Sequence, residues 1–494
     1  MSARWRVLPL PTIGRREGGH FRHRLALAAF AACHLCSGSA VAQEWLIQPS
    51  VSAFESFTSN AGLDPPGEEK ADFVTTISPS LDIHREAPRL TVDVNYALEA
   101  IGYAREQEFS EIRNRLNLDS RATFVPEMVF LDANATIDQQ PEDSGRPSSG
   151  SQLTASTNLD TVYTYRISPS LNNHLGTFAD SGLTYAFSQI YSDDLPDTTI
   201  HTVEGSLISG SRFTRLLWAL NADAQEASGS RDISSVFVAA SAEYPFNRTF
   251  SLFASAGYEQ ISDPSLDDEP DGPIGSAGVR LSPGPRSILE VVYNHRFDSD
   301  FVTGSASYLI DSNSRIQAGY TERIETSQTT FAENLGFLRR DEFGNFIDSR
   351  TDRLFRLGDD NFGLEDNAFR LRAFNLALHH VRGRNIWDAV AYHERREIDA
   401  LDEIDTAYGG SANWQHEMWP GSTFNLTVRY RHETFDTSSE REDQDLIGAG
   451  ASIVQDLNET LDGVLGVNFT RQFADDSEDE FTEAVVSVGL VKRF

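Results

Sequence analysis

Leu90-Thr91-Val92-Asp93-Val94-Asn95-Tyr96-Ala97-Leu98-Glu99 alternates apolar and polar side chains along its length. Leu90, Val92, Val94, Tyr96 and Leu98 share one face; Thr91, Asp93, Asn95 and Glu99 share the other. Successive side chains of an extended chain point oppositely, so a period of two marks a β-strand with unlike faces. The pattern recurs. Phe424, Leu426, Val428 and Tyr430 stand against Asn425, Thr427, Arg429 and Arg431. Leu116, Leu118, Ala122 and Phe124 stand against Arg113, Arg115, Asn117, Asp119 and Arg121. These segments run about ten residues or more, beyond the roughly 5–6 of an average soluble strand and enough to cross a bilayer when tilted.

Working outward, such segments begin near residues 45, 71, 89, 111, 127, 157, 175, 200, 214, 231 and 247. They continue from near 273, 286, 300, 314, 366, 384, 404, 421, 443, 459 and 481, about 22 strands in all, within 20–24. Short turns such as Arg85-Glu86-Ala87-Pro88, Ser282-Pro283-Gly284-Pro285, Asp311-Ser312-Asn313-Ser314 and Trp419-Pro420-Gly421 alternate with longer acidic stretches. The long stretches are 58–70, 139–156, 191–199, 262–272, 327–364, 399–403, 436–442 and 474–480. Short turns on one side and long loops on the other describe a bacterial outer-membrane barrel. An open sheet in lipid leaves edge groups unpaired at several kcal/mol each, so the sheet has to close. The expected fold is therefore all-β, a transmembrane antiparallel β-barrel over residues 43–494.

Composition agrees once it is read strand by strand. The chain has 494 residues, a formal net charge of −33 and a mean hydropathy of −0.36. No stretch after the amino terminus reaches the roughly 18 consecutive apolar residues of a membrane helix, but a barrel strand keeps one face polar. The acidic excess repels phosphates, so no nucleic-acid partner is expected. Residues 1–42 read as a signal peptide: Arg15, Arg16, Arg22 and Arg24 precede a short apolar core from Leu25 to Ala32, and Ala40-Val41-Ala42 offers the cleavage site. Cleavage there removes Cys33 and Cys36, the two cysteines, together with six arginines and Glu17. The net charge then falls from −33 to −38. Only Lys70 and Lys492 among the basic residues are lysines.

The final strand carries the most specific local signal. Ala484, Val486, Val488, Leu490 and Phe494 fall on one face and end the chain on an aromatic residue. This looks like the terminal β-signal, Val486, Val488, Leu490 and Phe494, that the barrel assembly machinery reads. Lys492 departs from it, standing where a hydrophobic residue is usual, and its ammonium can snorkel to the interface. Trp45, Trp387, Trp414 and Trp419 lie near expected strand ends, as aromatic girdles do.

Several motifs together resemble the outer-membrane β-barrel family associated with the PEP-CTERM/exosortase system. They are Ala71-Asp72-Phe73-Val74-Thr75-Thr76-Ile77-Ser78-Pro79, Tyr244-Pro245-Phe246, Gly257-Tyr258-Glu259, Asp271-Gly272-Pro273, Gly278, Pro285-Arg286 and Tyr293-Asn294-His295-Arg296. Asn294 replaces the family's usual glycine. The resemblance implies a role in envelope or exopolysaccharide export, and it brings no catalytic residue. Gly257, Gly278, Pro283 and Pro285 read bottom-up as curvature and turn residues.

Local chemistry is sparse. His379, His380, His393 and Glu394 match no helical metal motif, and no G-x-S-x-G signature occurs. No enzyme, cofactor or metal is expected. Asp263, Asp267, Asp268, Glu269 and Asp271, and Asp475, Asp476, Glu478, Asp479 and Glu480, form acidic clusters. They serve loop solubility or bridge divalent cations to lipopolysaccharide. Arg113, Arg115, Arg121, Arg429 and Arg431 are expected to face the lumen, with Asp93, Asp119 and Glu290 as partners. They form either a wall-stabilising charge ladder or a basic track for an anionic polysaccharide.

So wide a barrel encloses more space than wall side chains fill. No separate plug domain is read before Trp45. The longest connection, 327–364, carries Phe331, Leu335, Phe337, Leu338, Phe343, Phe346 and Phe355, and is expected to fold inward or cap the mouth. Arg339, Arg340, Arg350, Arg353 and Arg356 would make it a charged constriction loop. The functional expectation is a barrel in the outer membrane that assists export or surface assembly of exopolysaccharide. Alternatives are a general porin and a non-transporting structural barrel that anchors envelope machinery. Expected partners are outer-membrane lipid and lipopolysaccharide, the barrel assembly machinery, and exopolysaccharide with its export apparatus.

Overall fold

A computed structural model describes residues 45–141, 159–192, 197–229, 232–262, 264, 271–296, 299–325, 338–340, 346–348, 353–354, 369–398, 403–435, 443–475 and 477–494. The expected signal peptide, residues 1–42, lies outside them. The strands are β1 (Leu46–Thr58), β2 (Asp72–Ala87), β3 (Leu90–Tyr103), β4 (Glu111–Val125), β5 (Val129–Pro141), β6 (Leu159–His174), β7 (Ala179–Tyr191) and β8 (Thr198–Ser209). There follow β9 (Leu217–Ser228), β10 (Asp232–Pro245), β11 (Phe250–Ser262), β12 (Asp271–Gly284), β13 (Ser287–Arg296), β14 (Ser299–Asp311) and β15 (Ser314–Glu325). Three short strands come next: β16 (Leu338–Arg340), β17 (Phe346–Asp348) and β18 (Arg353–Leu354). The last are β19 (Phe369–Arg382), β20 (Asn385–Ile398), β21 (Glu403–Trp419), β22 (Ser422–Thr434), β23 (Gln444–Asn458), β24 (Leu461–Ala474) and β25 (Phe481–Arg493).

β1–β15 and β19–β25 form one 22-stranded antiparallel sheet, closed by pairing of β1 with β25. β15 pairs directly with β19, while β16–β18 make a separate small sheet. No helix among the described residues is long and apolar enough to cross a membrane; the strands do that work.

Around the wall the exposed large apolar side chains point outward. On β25, Val486, Val488 and Leu490 are 48, 58 and 49% exposed, whereas Phe481, Glu483 and Val485 on the other face are buried. Large apolar groups exposed in alternation around a closed wall face lipid. The described tryptophans of the wall gather near the short-turn rim. Trp387 stacks on Trp414 with centroids 4.9 Å apart, and Trp45 lies under the Arg85 guanidinium. Trp419 is exposed and donates its indole N–H to Gln455 at 3.0 Å. Near the long-loop rim the outward ring is tyrosine: Tyr258 donates to Asp271 at 2.7 Å and Tyr430 to Asp445 at 2.7 Å. Amphipathic rings at both interfaces with an apolar band between them fix the membrane position.

The seam is a fitted joint. Gly489 sits opposite Phe54, and a Cβ there would lie 2.2 Å from the Phe54 ring. Lys492 donates to the Thr460 hydroxyl, Arg493 pairs with Asp462, and the Phe494 amide donates to the Pro49 carbonyl at 2.9 Å. The terminal lysine thus finds a partner at the interface.

Candidate functional site

The lumen is the candidate site, and its two halves differ. Towards the long-loop rim, inward side chains are buried on strand after strand. They include Glu99, Ile101 and Tyr103 on β3, Thr198, Ile200 and Thr202 on β8, Arg396 on β20, Glu433 on β22 and Gln472 on β24. Towards the short-turn rim, Asp93 on β3, Glu204 on β8 and Asn468 on β24 are exposed. A wall residue that faces the lumen is buried only when other atoms lie over it. The outer half is therefore covered from within, and the periplasmic half is a more open polar vestibule in which Ser50, Ser251 and Asp462 are the buried inner-face residues nearest the short turns.

The buried outer half is rich in charge. Arg113 donates to Glu99 at 2.9 Å and to Gln139 at 2.5 Å, and Arg115 reaches Glu99 at 3.2 Å and Asp138 at 3.5 Å. Arg396 and Asp405, both fully buried, pair at 2.8 Å, with the guanidinium 5.1 Å from the Phe369 ring centroid. Arg431 lies 3.3 Å from Glu433. Burying an ion costs several kcal/mol, so such groups persist only when paired. Near the vestibule, Arg280 bridges Glu243 and Glu290 at 2.7 and 2.9 Å, and further out Arg296 pairs with Glu259 at 2.5 Å.

The expected lumenal arginines, Arg113, Arg115, Arg121, Arg429 and Arg431, lie on the inner face opposite Ile112, Phe124, Val428 and Tyr430. Their partners differ from those expected. Glu99, Asp138 and Glu433 serve Arg113, Arg115 and Arg431, and Arg121 lies 3.7 Å from Asp132. Asp93 pairs with His84, Asp119 accepts from Asn134, and Glu290 serves Arg280. Arg429 packs over Gly448, whose added Cβ would meet its Nε at 2.4 Å. The five do not form one continuous track: Arg113, Arg115 and Arg121 are on β4, and Arg429 and Arg431 on β22. Glu99 ends the apolar alternation of β3, and only the register with β4 reveals that two arginines converge on it.

The histidines do not assemble. His379 pairs with Asp388 at 2.7 Å across the β19–β20 turn, and His380 contacts the Ser314 hydroxyl at 2.7 Å on the other face. Among the described residues no three His, Cys, Asp or Glu side chains gather to hold a metal ion. Of the acidic clusters, Asp263, Asp267, Asp268, Glu269 and Asp476 lie outside the described residues. Of the expected constriction loop, Arg339 and Arg340 fall on β16 and Arg353 on β18, while Arg350 and Arg356 lie outside the described residues. So do Phe331, Leu335, Phe337, Phe343 and Phe355 of the same connection. β16 leaves the wall between β15 and β19, yet comes within 8 Å of β4 between Cα atoms, on the opposite side of the 22-strand ring. Gly278 has a packing reason for its missing side chain, since a Cβ would lie 2.4 Å from the Phe253 ring.

A closed 22-strand wall with a lipid-facing apolar belt settles the location. The chain is a bacterial outer-membrane β-barrel. Among solved structures it is similar to the siderophore receptor PirA from Acinetobacter baumannii, with a TM-score of 0.51 at 7% identity over 92% of this chain and 81% of that one. It is likewise similar to the ferric-catecholate import receptor Fiu from E. coli K12 in its open form, with a TM-score of 0.52 at 9% identity over 90% of this chain and 81% of that one. At these identities the likeness is one of fold. No family model and no curated protein matches the sequence. Both structures are named as receptors, and neither as an enzyme.

Proposed function

We propose that this outer-membrane barrel transports a polar carbohydrate polymer, and serves export or surface assembly of exopolysaccharide. The observation that supports transport is the asymmetric lumen, more open and polar below and covered above. The resemblance of Tyr244-Pro245-Phe246, Gly257-Tyr258-Glu259 and Tyr293-Asn294-His295-Arg296 to the PEP-CTERM/exosortase-associated barrels supports the cargo class. Charge narrows it. Arg113, Arg115 and Arg431 are each held by a carboxylate, so the wall presents paired charges, hydroxyls and amides rather than a free cationic track. Such a surface suits a neutral or zwitterionic sugar better than a polyanion.

The connection bearing β16–β18 is, in this reading, the element that covers the outer half and releases it during passage. The test is a deletion strain. Loss of surface polysaccharide with small-solute uptake unchanged is the expected result, and normal surface polysaccharide overturns the reading. Loss of small-solute uptake with normal polysaccharide would identify a general porin instead.

A further inference from the structure

The outer wall carries a charge cluster that neither the lumen nor the apolar belt requires. Glu322 on β15, Arg370 and Arg372 on β19, and Arg395 and Glu397 on β20 all point outward. Their registers place them beside one another: Glu322 is opposite Arg372, Arg372 opposite Arg395, and Arg370 opposite Glu397. The inner-face neighbours Phe369, Leu371, Ala373 and Arg396 are buried, which fixes the parity. Arg372 bridges Glu322 at 3.3 Å and Glu397 at 2.8 Å, and Arg395 reaches Glu397 at 3.0 Å. Arg370 stands 4.0 Å from Glu322. Three guanidiniums thus meet two carboxylates, leaving one positive charge in excess. The Arg395 Nε, buried, has no hydrogen-bond partner.

Its height on the wall identifies what it meets. One row below, towards the membrane centre, Tyr320, Phe374, His393 and Tyr408 lie side by side. Leu376 and Leu378, both exposed, continue the belt down to Trp387. From Trp387 to Arg395 the strand rises about 26 Å. At a tilt of about 40° that is about 20 Å along the membrane normal, most of the roughly 25 Å height of a barrel's apolar band. The arginines therefore stand where the polar heads of the outer leaflet begin. Partly exposed guanidiniums with spare forked donors bind phosphate bidentately, a geometry that a lysine ammonium lacks. On a chain of net charge −33, such a local cationic excess is selective for an anion held at this depth.

We propose that Arg370, Arg372 and Arg395 form a binding site for a phosphate of lipopolysaccharide, gripping its phosphorylated glucosamine head against the barrel while its acyl chains lie along Phe374, Leu376 and Leu378. Glu322 and Glu397 hold the guanidiniums in a fixed fork rather than serving as ligands. The site is independent of the lumen's cargo.

Native mass spectrometry of the full barrel, released from detergent with added lipid A, tests this directly. Wild-type barrel is expected to retain lipid A, with R370Q/R372Q/R395Q lowering affinity by at least about tenfold. Dephosphorylated lipid A should show the same loss against the unaltered barrel, and inorganic phosphate should fail to compete. Equal retention by the triple variant overturns the proposal, as does equal binding of the dephosphorylated lipid or full competition by free phosphate. Heat-modifiable gel mobility checks that the triple variant is folded. Should it not fold, R395Q alone carries the test, with about threefold weaker retention expected and unchanged retention overturning it.

Discussion

At the scale of single residues, the outer-half lumen concentrates the largest energetic stakes. Arg396 and Asp405 are fully buried and pair with each other, so removing either takes a counter-charge from a group that water does not reach. Arg396→Ala or Asp405→Ala is expected to cost about 3–5 kcal/mol. An R396M/D405L double replacement should cost much less, since it removes both charges at similar volume. The measurement is the urea midpoint of the detergent-solubilised barrel, followed by gel mobility without heating. A double variant as unstable as either single one would contradict the pairing. Gly489 makes a second residue-scale case. Gly489→Leu would drive a side chain into the Phe54 ring, where even a Cβ comes within 2.2 Å. Folding yield should drop severalfold. Phe54→Ala in the same chain should restore it, because the space, not the strand, is at issue.

At the scale of elements, the strands are legible in the sequence and the pairings between side chains are not. The alternation of Leu90–Glu99 places β3 where it is found. Segment starts read near 45, 71, 111, 314, 384, 421 and 481 fall within about one residue of β1, β2, β4, β15, β20, β22 and β25. Starts read near 175 and 247 fall early, against Ala179 and Phe250. At the second of these the reason is local chemistry. Asn247 uses its side-chain oxygen to accept from the Thr249 and Phe250 amides, so the turn holds residues that alternation alone assigns to the strand. The facing of Arg113 and Arg115 also follows from period two, but their convergence on Glu99 depends on the β3–β4 register. Nothing in one strand encodes that register. The outward row of Arg372 and Arg395 escapes for the same reason, since β19 and β20 must be set side by side before it exists. The β3–β4 ladder makes its own prediction. Glu99 holds Arg113 and Arg115 at 2.9 and 3.2 Å, and its replacement leaves two guanidiniums facing the lumen with less neutralising charge. Glu99→Gln is expected to shift the reversal potential of reconstituted barrels under a salt gradient towards anion selectivity. Arg113→Gln should shift it the opposite way. If both variants move it equally, or neither does, the ladder does not border the conducting path.

At the scale of the whole molecule, the question is what lies over the buried inner face. The strands that bear it run nearly all round the ring, from β3 and β8 to β20, β22 and β24. No single wall side chain spans such a lumen, because wall residues fill only the narrowest barrels. The cover therefore has to come from a connection. β16 is the described element best placed, as it departs between β15 and β19 and meets β4 across the ring. Removing residues 332–360 should then uncover Glu99, Glu433 and Arg396 and leave the wall intact. Two readouts follow from that geometry. Single-channel conductance in planar bilayers should rise severalfold, since the narrowest level of a pore sets its resistance. The unheated gel mobility should stay that of a folded barrel, because β15 pairs with β19 directly and the seam does not involve the loop. Unchanged conductance with a folded wall would place the cover elsewhere, and the loop between β1 and β2, with its buried Asn60, Ala61 and Leu63, would be the next segment to remove.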